Sequence, residues 1–243
     1  MQRFALLAAT TLGLTAPAAA HDLWLTPGPG GVQLHYGHLH QPELPTAGKL
    51  ASVIAYTPSG TVVLDAKAET GPAPMLRAAF TGDALVTASY DNGYWVRLPD
   101  GSYRNVSKRM LPAAEKSMWS GKFAKAAIGP SAPWGHVVGQ PLEIVPLEAP
   151  AAAKEQLRVR VLFEGRALTG ADVTATDGVT HSEAVQTQAA TDAEGIAVVT
   201  LRAAGPQVLS VNHRVAPSQT PALADADTYS ATFAFTVSDP KTN

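Results

Sequence analysis

The chain has 243 residues, enough for one large domain or two small ones, with a formal net charge of −2 and 16% charged residues, against roughly 25% in ordinary soluble domains. That balance leaves no electrostatic footprint for nucleic acid; Arg104, Lys108 and Arg109 form the one local basic knot, read as a solvated turn. Cysteine is absent, which removes disulfides, thiolate metal sites and cysteine nucleophiles. Any metal must then be held by His, carboxylate or backbone groups.

Residues Met1–Ala20 have the layout of a secretory signal peptide: Arg3 at the start, the apolar stretch Phe4–Leu14, and the small residues Ala18-Ala19-Ala20 before the cut. The apolar run is too short to span a bilayer, which takes about 20 such residues, so an exported, periplasmic protein cleaved after Ala20 is expected. Cleavage makes His21 the amino terminus. Its α-amine (pKa about 8) and imidazole (about 6.5) then form a chelating pair available near neutral pH. Leu23 in third place excludes the other terminal chelate, which needs His there.

Beyond Ala20 the chain reads as short strands between turns. Strands are expected over Asp22–Leu25, Val32–His38, Leu50–Tyr56, Thr61–Lys67, Met75–Phe80, Ala84–Tyr90 and Gly93–Leu98. Asn92-Gly93 between two alternating runs predicts a hairpin. Leu111, Met118, Trp119, Phe123 and Ala126 fall on one side at helical spacing, so one short helix is predicted over Pro112–Ala127, started by Pro112 and stopped by Gly129-Pro130. Leu142–Val145 reads as the last strand of an N-terminal β domain over 21–148, and Pro146–Ala153 as a linker. From 155 to 238 the alternation of Leu157, Val159, Val161 and Phe163, then Ile196–Arg202, then Leu209, Val211 and His213, and finally Tyr229 to Val237 predicts a small sandwich. The expected fold is therefore mainly β: two β-sandwich-like domains of immunoglobulin or transthyretin type, with one short helix.

Gly170-Ala171-x-Val173 and Thr191-Asp192-x-x-Gly195 resemble transthyretin-like or immunoglobulin-like modules of exported bacterial proteins. The chain as a whole resembles an exported bacterial family catalogued as a domain of unknown function and described as the periplasmic component of cobalt or nickel uptake. The resemblance is carried by His21-Asp22-Leu23-Trp24-Leu25, Tyr36-Gly37-His38, Tyr94-Trp95, Tyr103-Arg104-Asn105-x-Ser107-Lys108, Leu142-Glu143-Ile144-Val145-Pro146, His213-Arg214 and Ala224-Asp225-Ala226-Asp227-x-Tyr229. It implies a periplasmic, mostly β protein working with membrane metal-transporter components.

Imidazole suits nickel, cobalt, copper and zinc, and four of the seven histidines (His21, His35, His38 and His40) lie close behind the expected cut. In the strand beginning at Val32, residues Leu34, Tyr36, His38 and His40 share one face, while His35 points the other way as an exposed residue. The candidate metal ligands are His21, His38, His40 and His213, although Pro42 bends the chain near His40 and nothing in the pattern brings His213 to the others. Asp22, Glu43, Asp225 and Asp227 are candidate oxygen ligands or imidazole-orienting groups, the last two also reading as turn or strand caps; His136 and His181 read as solvent-facing.

Three functions follow. The first is non-enzymatic binding of a divalent transition metal, nickel or cobalt ahead of copper or zinc, in support of uptake. The second is a copper enzyme, because a terminal His plus a second His on an exported sandwich resembles the histidine brace of lytic polysaccharide monooxygenases; the rest of that family's pattern is missing. The third is a carbohydrate-binding or structural module using Trp24, Trp95, Trp119 or Trp134. No nucleophile elbow, phosphate loop, zinc-helix motif or paired-carboxylate signature is present.

Overall fold

The computed structural model describes residues 21–28, 30–38, 41–70, 75–150, 156–177, 186–201 and 204–237. The expected signal peptide, His40 and His181 lie outside the described residues. In chain order the strands begin with β1 (Asp22–Gly28), β2 (Gly31–His38), β3 (Gln41–Glu43), β4 (Leu50–Thr57), β5 (Gly60–Val63) and β6 (Ala66–Glu69). Then come β7 (Met75–Ala79), β8 (Ala84–Arg97), β9 (Tyr103–Arg104), β10 (Lys116–Ile128), β11 (Leu142–Pro146) and β12 (Gln156–Phe163). The chain closes with β13 (Arg166–Ala167), β14 (Asp172–Thr176), β15 (Thr187–Ala190), β16 (Ile196–Thr200), β17 (Gly205–Val215) and β18 (Ala226–Val237). The mainly β, sandwich-like fold is as expected.

The strands form three sheets. A front sheet runs β1-β2-β7-β6 with β3 on β2, a nine-stranded central sheet runs β15-β14-β17-β18-β10-β8-β4-β5 with β9 on β8, and a back sheet holds β11, β12, β13 and β16. Alternate residues of the central strands enter different cores. Val86, Ala124, Ala126 and Ala234 pack with Leu23, Leu25, Val32 and Leu34 of the front sheet. Leu85, Phe123, Ala127, Phe233 and Phe235 pack with Ile144, Leu157, Val159 and Val161 of the back sheet. The central sheet is thus the middle of three layers, covered on both sides along β10 and β18.

This layering overturns the expected helix. Residues 116–128 are the strand β10, paired antiparallel with β8 and parallel with β18. A strand covered on both faces places apolar residues at both parities, so the two-residue period disappears and chance helical spacing takes its place. Among the described residues the only helical segment is a 3-10 turn at Ala47–Lys49. The Asn92-Gly93 hairpin is overturned too, because β8 runs straight through it. Gly93 stands opposite Ser120 and Asp91 opposite Gly121, which leaves Asn92 as the extra residue of a β-bulge, with Gly93 at φ 79°.

The segments before and after the expected linker share their sheets. β10 hydrogen-bonds to β18 from Met118–Ala226 to Ala126–Ala234, and β11 pairs with β12 in the back sheet. Two lysines of β10 are buried on opposite faces: Lys122 toward the front, 4% exposed, and Lys125 toward the back, 1% exposed. Lys125 Nζ lies 2.9 Å from Glu143 Oε1, and the same carboxylate accepts the backbone N–H groups of Val138 (2.8 Å) and Gly139 (3.0 Å). Glu143 therefore ties the loop before β11 to the middle of the molecule.

Removing one member of a buried ion pair strands the other charge and costs about 3–5 kcal/mol. Glu143→Gln should lower unfolding free energy by about that much in denaturant titrations. Adding Lys125→Met to it should restore part of the loss, since no buried ammonium remains and the Gln oxygen still accepts one of the two loop N–H groups. Equal stability of wild type and Glu143→Gln would remove the pair from this structural role.

Candidate metal-binding site

Continuing the β1–β2 register one step beyond Asp22–Gly37 sets His21 opposite His38. Their rings meet edge to face, with centroids 4.6 Å apart and planes at 82°. Tyr36, two residues before His38 on the same face, stands 5.3 Å from the His21 ring. The return into β3 is tight: a Cβ on Gly37, whose φ is 109°, would stand 3.0 Å from the Gln41 carbonyl oxygen, so this position requires glycine. β3 in turn brings Glu43 Oε1 to 3.9 Å from His21 Nε2.

Beneath the two rings lies a buried polar layer. Asp22 Oδ1 is buried without a hydrogen-bond partner among the described residues. Burial pushes the Asp22 carboxyl up and the Lys122 ammonium down, each opposed by their mutual attraction and, for Asp22, by the Ser230 hydroxyl and then by His38 and His21. The Tyr36 hydroxyl is pushed up to about 12, first by burial and then by Tyr90, whose ring lies 5.4 Å away. Sequence reasoning missed Lys122 and Tyr90; a lysine inside an apolar run was the available signal for the first. Two imidazoles with carboxylates nearby fit a divalent cation, because His and carboxylate are both good donors for such ions. No three His, Cys, Asp or Glu side chains converge as a ligand set among the described residues.

The other histidines fall elsewhere. His213 is paired across β17–β18 with Tyr229 and packs 4.5 Å from the Phe163 ring of the back sheet, so the central sheet stands between it and His21. His35 is half-buried rather than simply exposed: its ring stacks on Trp24 at 5.2 Å, and its Nε2 lies 2.6 Å from Thr26 Oγ1. His136 is exposed, against Tyr56 at 5.2 Å. The two aspartates near Tyr229 hold backbone and hydroxyl groups. Asp225 accepts from the Ser117 N–H and hydroxyl and from Lys108, and Asp227 accepts from the Ser218 hydroxyl and the Gln219 N–H.

The geometry defines a three-layered all-β protein with a paired-imidazole site at one end of its front hairpin. A family model, the domain of unknown function DUF4198, matches residues 18–215, and the chain belongs to that family. An uncharacterized protein of Haemophilus influenzae is 32% identical over 170 residues, covering 67% of this chain and 72% of the relative. The crystal structure of a tetra-tandem repeat in the extending region of a large adhesion protein is 12% identical, with a TM-score of 0.21, covering 89% of this chain and 49% of that one. A likeness at that level carries no argument.

Burial holds the His213 imidazole below its ordinary range. The unfolded chain then binds this proton more readily than the folded one, so the contribution is fully present above about pH 6.5 and drains as pH falls below that value. Melting temperatures at pH 7.5 and pH 5 should differ less for His213→Gln than for wild type. An unchanged difference would show that His213 takes no part in the acid sensitivity.

Proposed function

We propose that this protein is exported to the periplasm and binds a divalent transition metal, nickel or cobalt, which it passes to a membrane transporter without catalysing a reaction. The observation that carries the reading is the juxtaposition of His21 and His38 at 4.6 Å. With cleavage after Ala20, the α-amine of His21 adds a third nitrogen beside the two imidazoles. Glu43, 3.9 Å from His21 Nε2, is the nearby carboxylate donor. His213, on the far side of the central sheet, has no part in this set. The DUF4198 match spans both His21 and His38. It assigns no metal.

Ligand type alone does not choose the ion, since Cu(II) outbinds Ni(II) and Co(II) at almost any nitrogen site. An amine and two imidazoles are also the donors of a copper histidine brace, and the His21–His38 pair is the specific observation that keeps a copper enzyme as the second reading. Ascorbate-dependent peroxide formation by the copper-loaded protein would favour it.

The test compares a form beginning at His21 with one carrying a single residue ahead of it, each titrated with Ni(II), Co(II), Cu(II) and Zn(II). Metal at 100 times its Kd raises stability by about 2.7 kcal/mol, so a clear rise in Tm is expected for the first form and a much smaller one for the second. His38→Ala should abolish the rise. The rise should fade as pH drops through the imidazole range, because protons compete for the ligands. Full stabilisation at pH 4, or none with any of the four metals, would overturn imidazole ligation.

A further inference from the structure

The back face of the central sheet carries a concavity, remote from His21 and independent of the metal reading. Beside the turn that follows β12, a cleft of about 420 Å³ opens over the ends of β8, β10 and β18. Trp119 occupies the middle of a cross-strand row, with Tyr94 opposite it on β8 and Asp227 opposite it on β18. The Asn92 bulge makes this row possible. Before the bulge the odd-numbered residues of β8, such as Leu85, face the back core; after it the even-numbered Tyr94 does.

The Trp119 ring is fixed in place. A Cβ on Gly121 would fall 2.4 Å from Trp119 Cη2, so the ring lies across the backbone where only glycine leaves room. Its Nε1 donates to Asp91 Oδ1 at 2.9 Å. Tyr229 meets it edge to face, with centroids 5.5 Å apart and planes at 65°. The Tyr94 hydroxyl is paired with Thr220 Oγ1 at 3.1 Å.

The lining includes Glu164 and Asp227 and no basic residue. Asp227 is buried and satisfied by Ser218 and Gln219, but Glu164 is exposed at the lip and held by the Gln219 amide at 3.4 Å. Glu164 also stands at φ 49°, followed by Gly165 at 74°, between the paired residues Phe163 and Arg166. Two-residue turns with both residues at positive φ favour Asn, Asp or Gly in the first place. Among the described residues Glu164 is the only non-glycine at positive φ, a strained choice that does nothing for the turn and sets a carboxylate at the mouth of the cleft.

We infer that this cleft binds a small organic cation, an alkylammonium or quaternary ammonium compound, with its charge in the corner between Trp119 and Tyr229 and opposite Glu164. Aromatic faces attract cations through their quadrupole, and an uncompensated carboxylate adds to that field. Carboxylates also accept hydrogen bonds from sugar hydroxyls, but two rings at 65° make a corner rather than the flat platform on which a sugar stacks.

The test titrates the purified protein calorimetrically with choline, with its uncharged isostere 3,3-dimethylbutan-1-ol, and with methyl glucoside. Choline should bind saturably in the millimolar range or tighter, and the isostere at least about tenfold more weakly. Glu164→Gly relieves the turn, so its Tm should equal or exceed that of wild type while its choline affinity falls about tenfold. His21→Ala should leave choline binding unchanged, which separates this site from the metal site. Equal affinity for choline and its isostere, preference for methyl glucoside, absence of choline binding, or undiminished binding by Glu164→Gly would each overturn the inference.

Discussion

The parallel pairing of β10 with β18, covered on both faces, is the constraint from which the rest of the molecule follows. It joins chain segments more than a hundred residues apart and buries most side chains of both strands. On the front face those side chains are small, with Ala124, Ala126 and Ala234 beneath the front sheet. β1 consequently lies so close that the Thr232 hydroxyl on β18 donates to the Leu23 carbonyl on β1 at 2.7 Å. On the back face they are large, and Phe123, Phe233 and Phe235 fill a thicker layer with Trp134 against the two last rings. A lysine on each face departs from this apolar rule, and each is drawn to a carboxylate on the covering sheet: Lys122 to Asp22 of β1 and Lys125 to Glu143 of β11. Buried charges persist only where they are compensated, and here the compensation also fixes which segments cover which face.

The same middle layer divides the chemistry of the molecule. The imidazole pair His21–His38 belongs to the front hairpin, while His213, Phe163, Tyr229 and the aromatic cleft belong to the back. One ion cannot engage histidines on both sides of a packed sheet. The two regions also differ in kind, the front one presenting imidazoles and a carboxylate, the back one aromatic faces and negative charge. Each draws its shape from the central sheet without sharing a ligand with the other.

The Asn92 bulge connects the two faces. Lys49 donates to the Asn92 carbonyl and side chain and to Asn105, and Asn105 donates back to the carbonyls of Asn92 and Tyr94. Lys108 meanwhile bonds Asp225, and Asp225 bonds Ser117 at the start of β10. The segments Tyr103–Lys108 and Ala224–Tyr229 thus hold the irregular ends of the central strands. Exposed pairs such as Lys108–Asp225 contribute little energy individually, but the carbonyls freed by a bulge need donors, and these side chains supply them.

Local sequence determined the strands whose alternation survives, the turns between them, and one half of the candidate site. His21 and His38 are brought together by a single short hairpin, so their juxtaposition depends on few residues and on a register that alternation and the Gly28–Gly31 turn encode. Thr61–Lys67 reads as one strand because no Gly or Pro interrupts it. Only the tertiary structure divides it into β5 of the central sheet and β6 of the front sheet. Tertiary structure likewise made residues 116–128 a strand, since burial on two faces erases the period by which a strand is recognised. It turned Asn92-Gly93 from a hairpin into a bulge, because β10 pairs β8 both before and after it, with β4 beside the first part of β8 and β9 beside the last. And it set His213 apart from His21: which face of a sheet receives a given covering layer depends on contacts between distant segments, and no local pattern carries that information.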